Sequence, residues 1–501
     1  MRVVFIGIGA EQMGVEILAG ILERHGHEVH LAFTPGLFDD RYHLAIPALA
    51  RFFNEDAAVI DRAVSLQPDV IAMSVLTNTY RWGLKVAGAV RARTGAQVIF
   101  GGVHPSAVPD IVLAESAVDA VCVGEGDQAF PDWLRALAEG EPDRPVVNIR
   151  SKCADGTIVR GPTAPFQQDL DSLPFPDKRL YEDHFAIRDF YMTMTGRGCA
   201  YQCTFCFNNF WARLPSTDGV RGGKYVRQRS VDNVMAELLG AKKRWGIRFI
   251  DFEDDIFTID KAWIHAFLER YKREIKLPWT CLSHVKYVDQ DIINWMADAG
   301  CTWVQIGIQS VDEQYKYKTM KRYEKTGDTA WTIDAFQRAG IGVKGDHIFG
   351  SSGEAVEAQD AARLFYAKHT PERIGTYWMT YYPGVEITQE ALKRGDLTPA
   401  DVDRINNGEL EAFHQFGGVA QADTHRLASY EALFQMMPML PAAWRDKVQP
   451  KWLEKLPTTL LKGVARVADI SHAIATANPD HRVYGEHYLR HIGRHLQARL
   501  K

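Results

Sequence analysis

The sequence predicts an α/β chain in three parts. A doubly wound parallel sheet comes first, a second domain of six βα units follows, and the C-terminal region is mainly helical. Three observations predict this. Short apolar runs recur at strand length, helix-length amphipathic stretches separate most of them, and glycine-containing turns fall at their ends. The 501 residues exceed one ordinary domain. An apolar fraction of 46% supplies full cores and excludes a chain disordered throughout.

In the first part, residues 1–140, the apolar runs are 3–8, 29–33, 70–75, 98–100 and 120–123. Runs of this kind suit strands covered on both faces, and their alternation with helices describes a Rossmann- or flavodoxin-like sheet. Ligands of such sheets bind beyond the C-terminal ends of the strands. Gly7, Gly9 and Gly14 follow the first run, Gly101 and Gly102 the fourth, and Gly124, Glu125 and Gly126 the fifth. The first turn is not G-x-G-x-x-G, because its third glycine comes two residues late. Taken alone it is as compatible with a plain strand-to-helix turn as with a ligand loop.

Together these loops resemble the cobalamin-binding domain. That family has a small-residue turn after its first strand, Ser-x-Leu after the third and Gly-Gly after the fourth. Here these are Ser74-Val75-Leu76 and Gly101-Gly102-Val103-His104-Pro105. The resemblance implies cobalamin contacts at Gly9, Glu11, Gly14, Ser74, Leu76, Thr77, Asn78, Gly101, Gly102, Val103, Gly124, Glu125 and Gly126. Small residues there let the corrin and its nucleotide tail approach the backbone. The chain departs from the family motif D-x-H-x-x-G, whose Asp falls at Gly9 and whose His falls at Glu11. Cobalamin is thus expected without a His ligand from that loop, with Thr77 and Asn78 toward its lower side. His104 reads as a loop histidine bonded to backbone. An empty domain of this shape is the alternative.

Residues 141–185 read as a linker, extended at Pro174 and Pro176. The domain at 186–390 opens on Cys199-x3-Cys203-x2-Cys206. Seven cysteines in all, an odd and sparse set, exclude a disulfide framework. Thiolates select soft metals and iron–sulfur clusters, and three on one loop can hold three irons of a [4Fe–4S] cluster with the fourth open. A structural zinc site asks for a second ligand pair, whereas Cys122, Cys153, Cys281 and Cys301 are isolated. With Phe205 just before the third cysteine, the motif resembles the radical S-adenosylmethionine (SAM) superfamily. The resemblance implies SAM on the open iron, cleaved to a 5′-deoxyadenosyl radical by an electron from an external donor such as a flavodoxin or ferredoxin.

Strand runs at 190–195, 248–252, 279–282, 303–308, 342–349 and 376–380 alternate with helical patterns at 230–245, 261–273, 289–299, 326–338 and 354–368. This matches the superfamily's partial (β/α)6 barrel, with the site at the C-terminal ends of the strands. SAM contacts carried over by position are Phe205, Glu253, Asp254, Gln309 and Ile348. Glu253 and Asp254 belong to the acidic run 251–255, which would suit the SAM amino group or be a solvated charge run. Tyr381-Tyr382-Pro383-Gly384 matches a turn of cobalamin-linked members. No substrate acid or base is assigned; Tyr201, Tyr381 and His347 are compatible with that role.

Residues 391–501 match no known pattern. The stretch 441–501 carries eleven Lys and Arg against five Asp and Glu, with His487, His491 and His495 near its end. It reads as a helical cap on the barrel with a solvated basic face, or as a basic amphipathic segment that meets an acidic substrate or a membrane. The histidines fit a helix end, complementing the carbonyl dipole. The net charge of −5 argues against a general nucleic-acid binder. No apolar run reaches the roughly 18–20 residues that span a bilayer. The first residues read as a buried strand rather than a signal peptide, so a cytoplasmic protein is expected.

The order of domains is that of cobalamin-dependent radical SAM enzymes over about residues 1–390. The activity the resemblance most often implies is methyl transfer to an unactivated carbon of a small, acidic or lipid-like substrate. The alternatives are a cobalamin-linked cyclase, ring-contracting enzyme, dehydratase or oxidoreductase such as the anaerobic magnesium-protoporphyrin ester cyclase. A non-catalytic corrinoid or iron–sulfur sensor is a remoter reading.

Overall fold

The structure, a computed structural model, describes residues 1–40, 44–153, 155–409 and 421–500. Its first sheet contains β1 (Arg2–Ile8), β2 (Glu28–Thr34), β3 (Val70–Ser74), β4 (Gln97–Gly101), β5 (Ala120–Cys122), β6 (Ile149–Lys152) and β7 (Ile158–Arg160). The strand order is β2-β1-β3-β4-β5-β6-β7. The first five are parallel and the last two antiparallel. Strand alternation divides β1 between two cores. Val3 and Phe5 pack with Trp133 on one face, and Val4 and Ile6 with Val59 and Val86 on the other. Helix α1 (Met13–Arg24) leaves β1 beside the gap to β3, where chain order reverses and such sheets bind ligands.

β6 and β7 lie within the segment that the sequence assigns to the linker. They are short, and their alternating, partly charged residues give no continuous apolar run. Further on, Lys178 is fully buried and ion-paired with Glu11 and Glu16, which anchors the linker to the first domain.

The second sheet contains β8 (Tyr191–Thr193), β9 (Ile250–Phe252), β10 (Trp279–Ser283), β11 (Cys301–Gln309), β12 (Gly342–Phe349) and β13 (Arg373–Trp378). All six are parallel and paired in chain order, giving the partial (β/α)6 barrel. Helix α2 (Phe207–Thr217) follows the cysteine loop. Between the later strands run α3 (Val231–Trp245), α4 (Lys261–Glu274), α5 (Gln290–Asp298), α6 (Thr326–Arg338) and α7 (Ala358–Lys368). Ser230, Asp260 and Asp289 each cap the helix that follows by accepting from its first-turn N–H groups. β13 starts three residues before its predicted run. Arg373 can open a buried strand because Asp469 pairs with it twice, at 2.9 Å each.

The C-terminal region is a helical cap. In α8 (Gln421–Met436), Leu427, Tyr430, Leu433 and Phe434 join the barrel core. Helix α9 (Thr458–Ala475) lies on α8 through Leu461 and Ala465 against Ala432. Helix α10 (Pro479–Leu500) returns to the first domain, where Tyr488 packs 5.2 Å from Phe38. His487, His491 and His495 recur every four residues along one buried face, against Phe185, His184 and Phe53. This corrects the helix-end reading: they are packing residues. Residues 410–420 and 501 of the expected C-terminal domain lie outside the described residues.

Candidate functional site

A cavity of about 500 Å³ is lined by both α/β domains. From the first come Gly14, Ser74, Gly101, Gly102, Val103 and the loop Gly124-Glu125-Gly126, all expected from the sequence. Gly102 has φ +98°, and a Cβ there would lie 2.8 Å from the Val75 carbonyl oxygen. Backbone therefore approaches the cavity closely at this point. Phe5, Ile17, Leu18, Ile99 and Phe130 give the cavity an apolar lining. Such walls suit a flat nucleotide base. The sequence reading missed them, since apolar residues on the strands and helices of such a sheet carry no local signal of a ligand.

Five expected contacts do not line this cavity: Gly9, Glu11, Leu76, Thr77 and Asn78. Glu11 is instead engaged by Lys178. Thr77 is buried, its hydroxyl 3.2 Å from His104 Nδ1, and the His104 ring lies 4.3 Å from Tyr80. His104 thus bonds a side chain rather than backbone, and burial lowers its pKa to about 4. Leu76 is half-exposed at the end of β3, its loop closed by the Thr79 hydroxyl.

The cysteine loop is built just past β8. Gly196–Arg197 pairs with Arg227–Gln228, and a Cβ on Gly198 (φ +90°) would fall 2.3 Å from the Tyr225 carbonyl oxygen. Cys203 is buried, Cys199 and Cys206 are partly exposed, and Cys206 directly precedes α2. Among the described residues no three His, Cys, Asp or Glu side chains converge on one ion. Three ligands that address three separate irons of a cluster need no such convergence. Burial pushes the Cys199 thiol up to about 11 and the Cys206 thiol to about 12. Loading iron there displaces protons. Burial raises the Cys203 thiol as well, and the buried Arg322 guanidinium beside it opposes that rise. Tyr201 stacks on His284 at 4.1 Å, and His284 Nε2 is 3.1 Å from Arg322.

Of the acidic run, Glu253 and Asp255 line the cavity and Asp254 does not. This corrects Asp254. Its carboxylate is buried and occupied by Thr195, so it braces the loop from beneath. Asp255, 2.7 Å from Asn208 Nδ2, takes its place in the cavity wall. Phe205 and Ile348 pack on one apolar cluster with Tyr315 and Tyr381. Gln309 ends β11 with φ +64°, at a register shift against β12. That is rare backbone for a non-glycine residue. His347 is a core residue, bonded to Gln359 at 2.8 Å and Tyr366 at 3.1 Å. Tyr381 is likewise buried.

Two arginines clamp the domains together. Arg227 donates to Glu125 at 2.8 and 3.0 Å, and Arg197, inside the cysteine loop, donates to Asp127 at 2.6 and 3.0 Å. Glu125 therefore lines the cavity and fixes the loop beside it.

The family model of the B12 binding domain matches residues 6–134, and that of the Radical SAM superfamily matches residues 193–365. This chain is a radical SAM protein with a B12-binding domain. Its radical SAM domain brings a [4Fe–4S] cluster and SAM as cofactors, and its B12-binding domain brings cobalamin. An uncharacterized methyltransferase of Pyrococcus horikoshii is 26% identical over 396 residues, 77% of this chain and 80% of the relative. The cytidylyl-2-hydroxyethylphosphonate methyltransferase of Streptomyces wedmorensis is 24% identical over 439 residues, 78% of this chain and 79% of the relative. Among solved structures, the cobalamin-dependent SAM radical enzyme OxsB with aqua-cobalamin and SAM bound has a TM-score of 0.64 at 16% identity. That match covers 98% of this chain and 75% of OxsB and shows a shared fold.

Proposed function

We propose that this chain is a cobalamin-dependent radical SAM C-methyltransferase. The observation that carries the reading is a cavity shared by the glycine loops of the B12-binding domain and the wall of the cysteine loop. Cobalamin, SAM and the cluster together supply a hydrogen-abstracting radical and a methyl group for an unactivated carbon. The protein's part is placement. Cys199, Cys203 and Cys206 hold the cluster. Glu253 and Asp255 offer carboxylates to the SAM ammonium, while Phe205, Gln309 and Ile348 hold the rest of SAM. Gly101, Gly102, Val103 and the Gly124-Glu125-Gly126 loop give the cobalamin tail its close approach. The named methyltransferase relatives support the direction of the chemistry. In this reading the substrate is a small molecule, the electron comes from an external flavodoxin or ferredoxin, and the enzyme works in the cytoplasm.

The test uses chain reconstituted anaerobically with iron, sulfide and cobalamin, then given SAM, reductant and cell extract as substrate source. 5′-Deoxyadenosine and S-adenosylhomocysteine are quantified together. Methyl transfer predicts that both rise, dependent on cobalamin and on Cys203. A rise in 5′-deoxyadenosine alone overturns methylation and leaves a radical SAM cyclase, lyase or oxidoreductase.

A further inference from the structure

Helix α9 has two apolar faces. Leu461, Ala465 and Ala473 point inward and are buried. On the opposite face Leu460, Val464, Val467 and Ile474 stand at offsets of four, seven and fourteen residues, a single stripe along the helix. All four are open to solvent, with Val467 66% and Ile474 69% exposed. The segment just before α9 continues in kind, since Trp444, Trp452 and Leu456 are exposed. Isolated exposed apolar residues need no explanation, whereas a contiguous series with two tryptophans does.

The charge beside this stripe selects its partner. Residues 439–475 carry six Lys and Arg and three acids. Of the acids, Asp469 is buried against Arg373. Lys447, Lys451 and Lys455 are exposed and interleave with the two tryptophans. A second copy of the chain on the same face would set these lysines against themselves. A surface that is apolar below and anionic above satisfies both features. Exposed Leu and Val, flanking Lys and interfacial Trp are how an amphipathic helix lies in the headgroup layer of an anionic bilayer. Among the described residues no helix is long and apolar enough to cross a membrane.

We propose that α9 and the segment before it form a docking surface for anionic lipid bilayers, which hold the enzyme at the membrane face without spanning it. This surface lies outside the cavity wall, so its test needs no turnover.

The experiment is co-sedimentation of the full chain with two sets of vesicles, phosphatidylcholine alone and phosphatidylcholine with phosphatidylglycerol. Binding is expected only to the anionic set and should weaken with added salt. Val467→Glu should abolish it. The double variant Lys451→Gln, Lys455→Gln should weaken partitioning about thirtyfold, since each basic residue near such a surface contributes roughly a factor of five. These side chains are exposed, so far-ultraviolet circular dichroism and the unfolding midpoint should stay unchanged. Should Val467→Glu fail to fold, the lysine pair carries the test. Three results overturn the proposal: absence of vesicle binding, binding equal on neutral vesicles, or binding indifferent to both variants. Concentration-dependent dimerisation removed by Val467→Glu, without vesicle binding, would reassign the face to a second copy.

Discussion

Both carboxylate oxygens of Asp254 accept from the Thr195 backbone N–H, at 3.0 and 2.9 Å, and one of them also accepts from the Thr195 hydroxyl at 2.8 Å. Thr195 stands four residues before Cys199, so the loop after β9 braces the entry of the cysteine loop. Asp254→Asn replaces one acceptor oxygen by a donor facing a buried N–H. It should cost about 1–3 kcal/mol in unfolding free energy and lower the iron retained per chain after reconstitution. Unchanged iron content and an unchanged urea midpoint would show that Asp254 braces nothing.

Gly102 makes a sharper prediction for cobalamin. Its positive φ and the nearby Val75 and Ser74 atoms leave no room for a side chain. Gly102→Leu should weaken cobalamin binding by at least about tenfold, with direct strain on the backbone of about 1–2 kcal/mol. Cobalamin retained per chain, read from its visible absorbance after gel filtration, checks this. Retention equal to the parent chain would move the corrin elsewhere.

What was legible in the sequence was local. C-x3-C-x2-C is complete within eight residues, and the recurring apolar runs gave the parallel strands of both sheets. The pairings that place the loops were not legible. Arg227 and Glu125 are 102 residues apart, and Lys178 and Glu11 are 167 apart. Glu11 therefore looked like a cofactor contact when it is an anchor for the linker. Arg373 lies before the apolar run 376–380, and the partner that lets it open β13, Asp469, comes from α9. The histidines of α10 looked like dipole partners because nothing near them in sequence announces Phe185 or Phe53.

The Lys178 anchor leads to a linkage prediction. Lys178, Glu11 and Glu16 are buried, and Lys178 Nζ is 2.8 Å from Glu16. Lys178→Met strands two buried carboxylates and should cost about 3–5 kcal/mol. Burial already raises the Glu16 pKa. A carboxyl with a raised folded pKa loses stability as pH rises above its unfolded value, so the defect should be smallest in acid and grow toward neutrality. The triple variant Lys178→Met, Glu11→Gln, Glu16→Gln should recover most of it. Urea denaturation at several pH values gives the answer, and a pH-independent defect would refute the ionic account.

Glu354 supplies a second pH test. It follows β12, its carboxylate 2.5 Å from the Ser310 hydroxyl, and desolvation raises its pKa from 4.5 to about 8. The folded chain keeps this proton while the unfolded chain loses it, so the side chain's contribution to stability declines from pH 4.5 to about 8 and is flat above. Glu354→Gln removes that decline. The variant should match the parent near pH 4.5 and gain on it steadily up to about pH 8. Thermal midpoints of both chains across this range decide it, and a constant difference would place the proton elsewhere.

Arg322 should set how easily the cluster is reduced. Its buried guanidinium donates to Glu324 at 2.8 Å and to the Gly307 carbonyl oxygen at 2.7 Å, and it stands beside Cys203. Reduction adds negative charge to the cluster, and a fixed cation within a few ångströms stabilises it. Arg322→Gln should therefore shift the reduction potential negative, on the order of tens of millivolts, with Arg322→Lys shifted less. A loop merely loosened by the substitution would lose iron without a defined shift. Redox titration followed by electron paramagnetic resonance, with iron counted on the same samples, separates the two. An unchanged potential at full iron content would show that the charge of Arg322 is balanced locally by Glu324 and is not felt at Cys203.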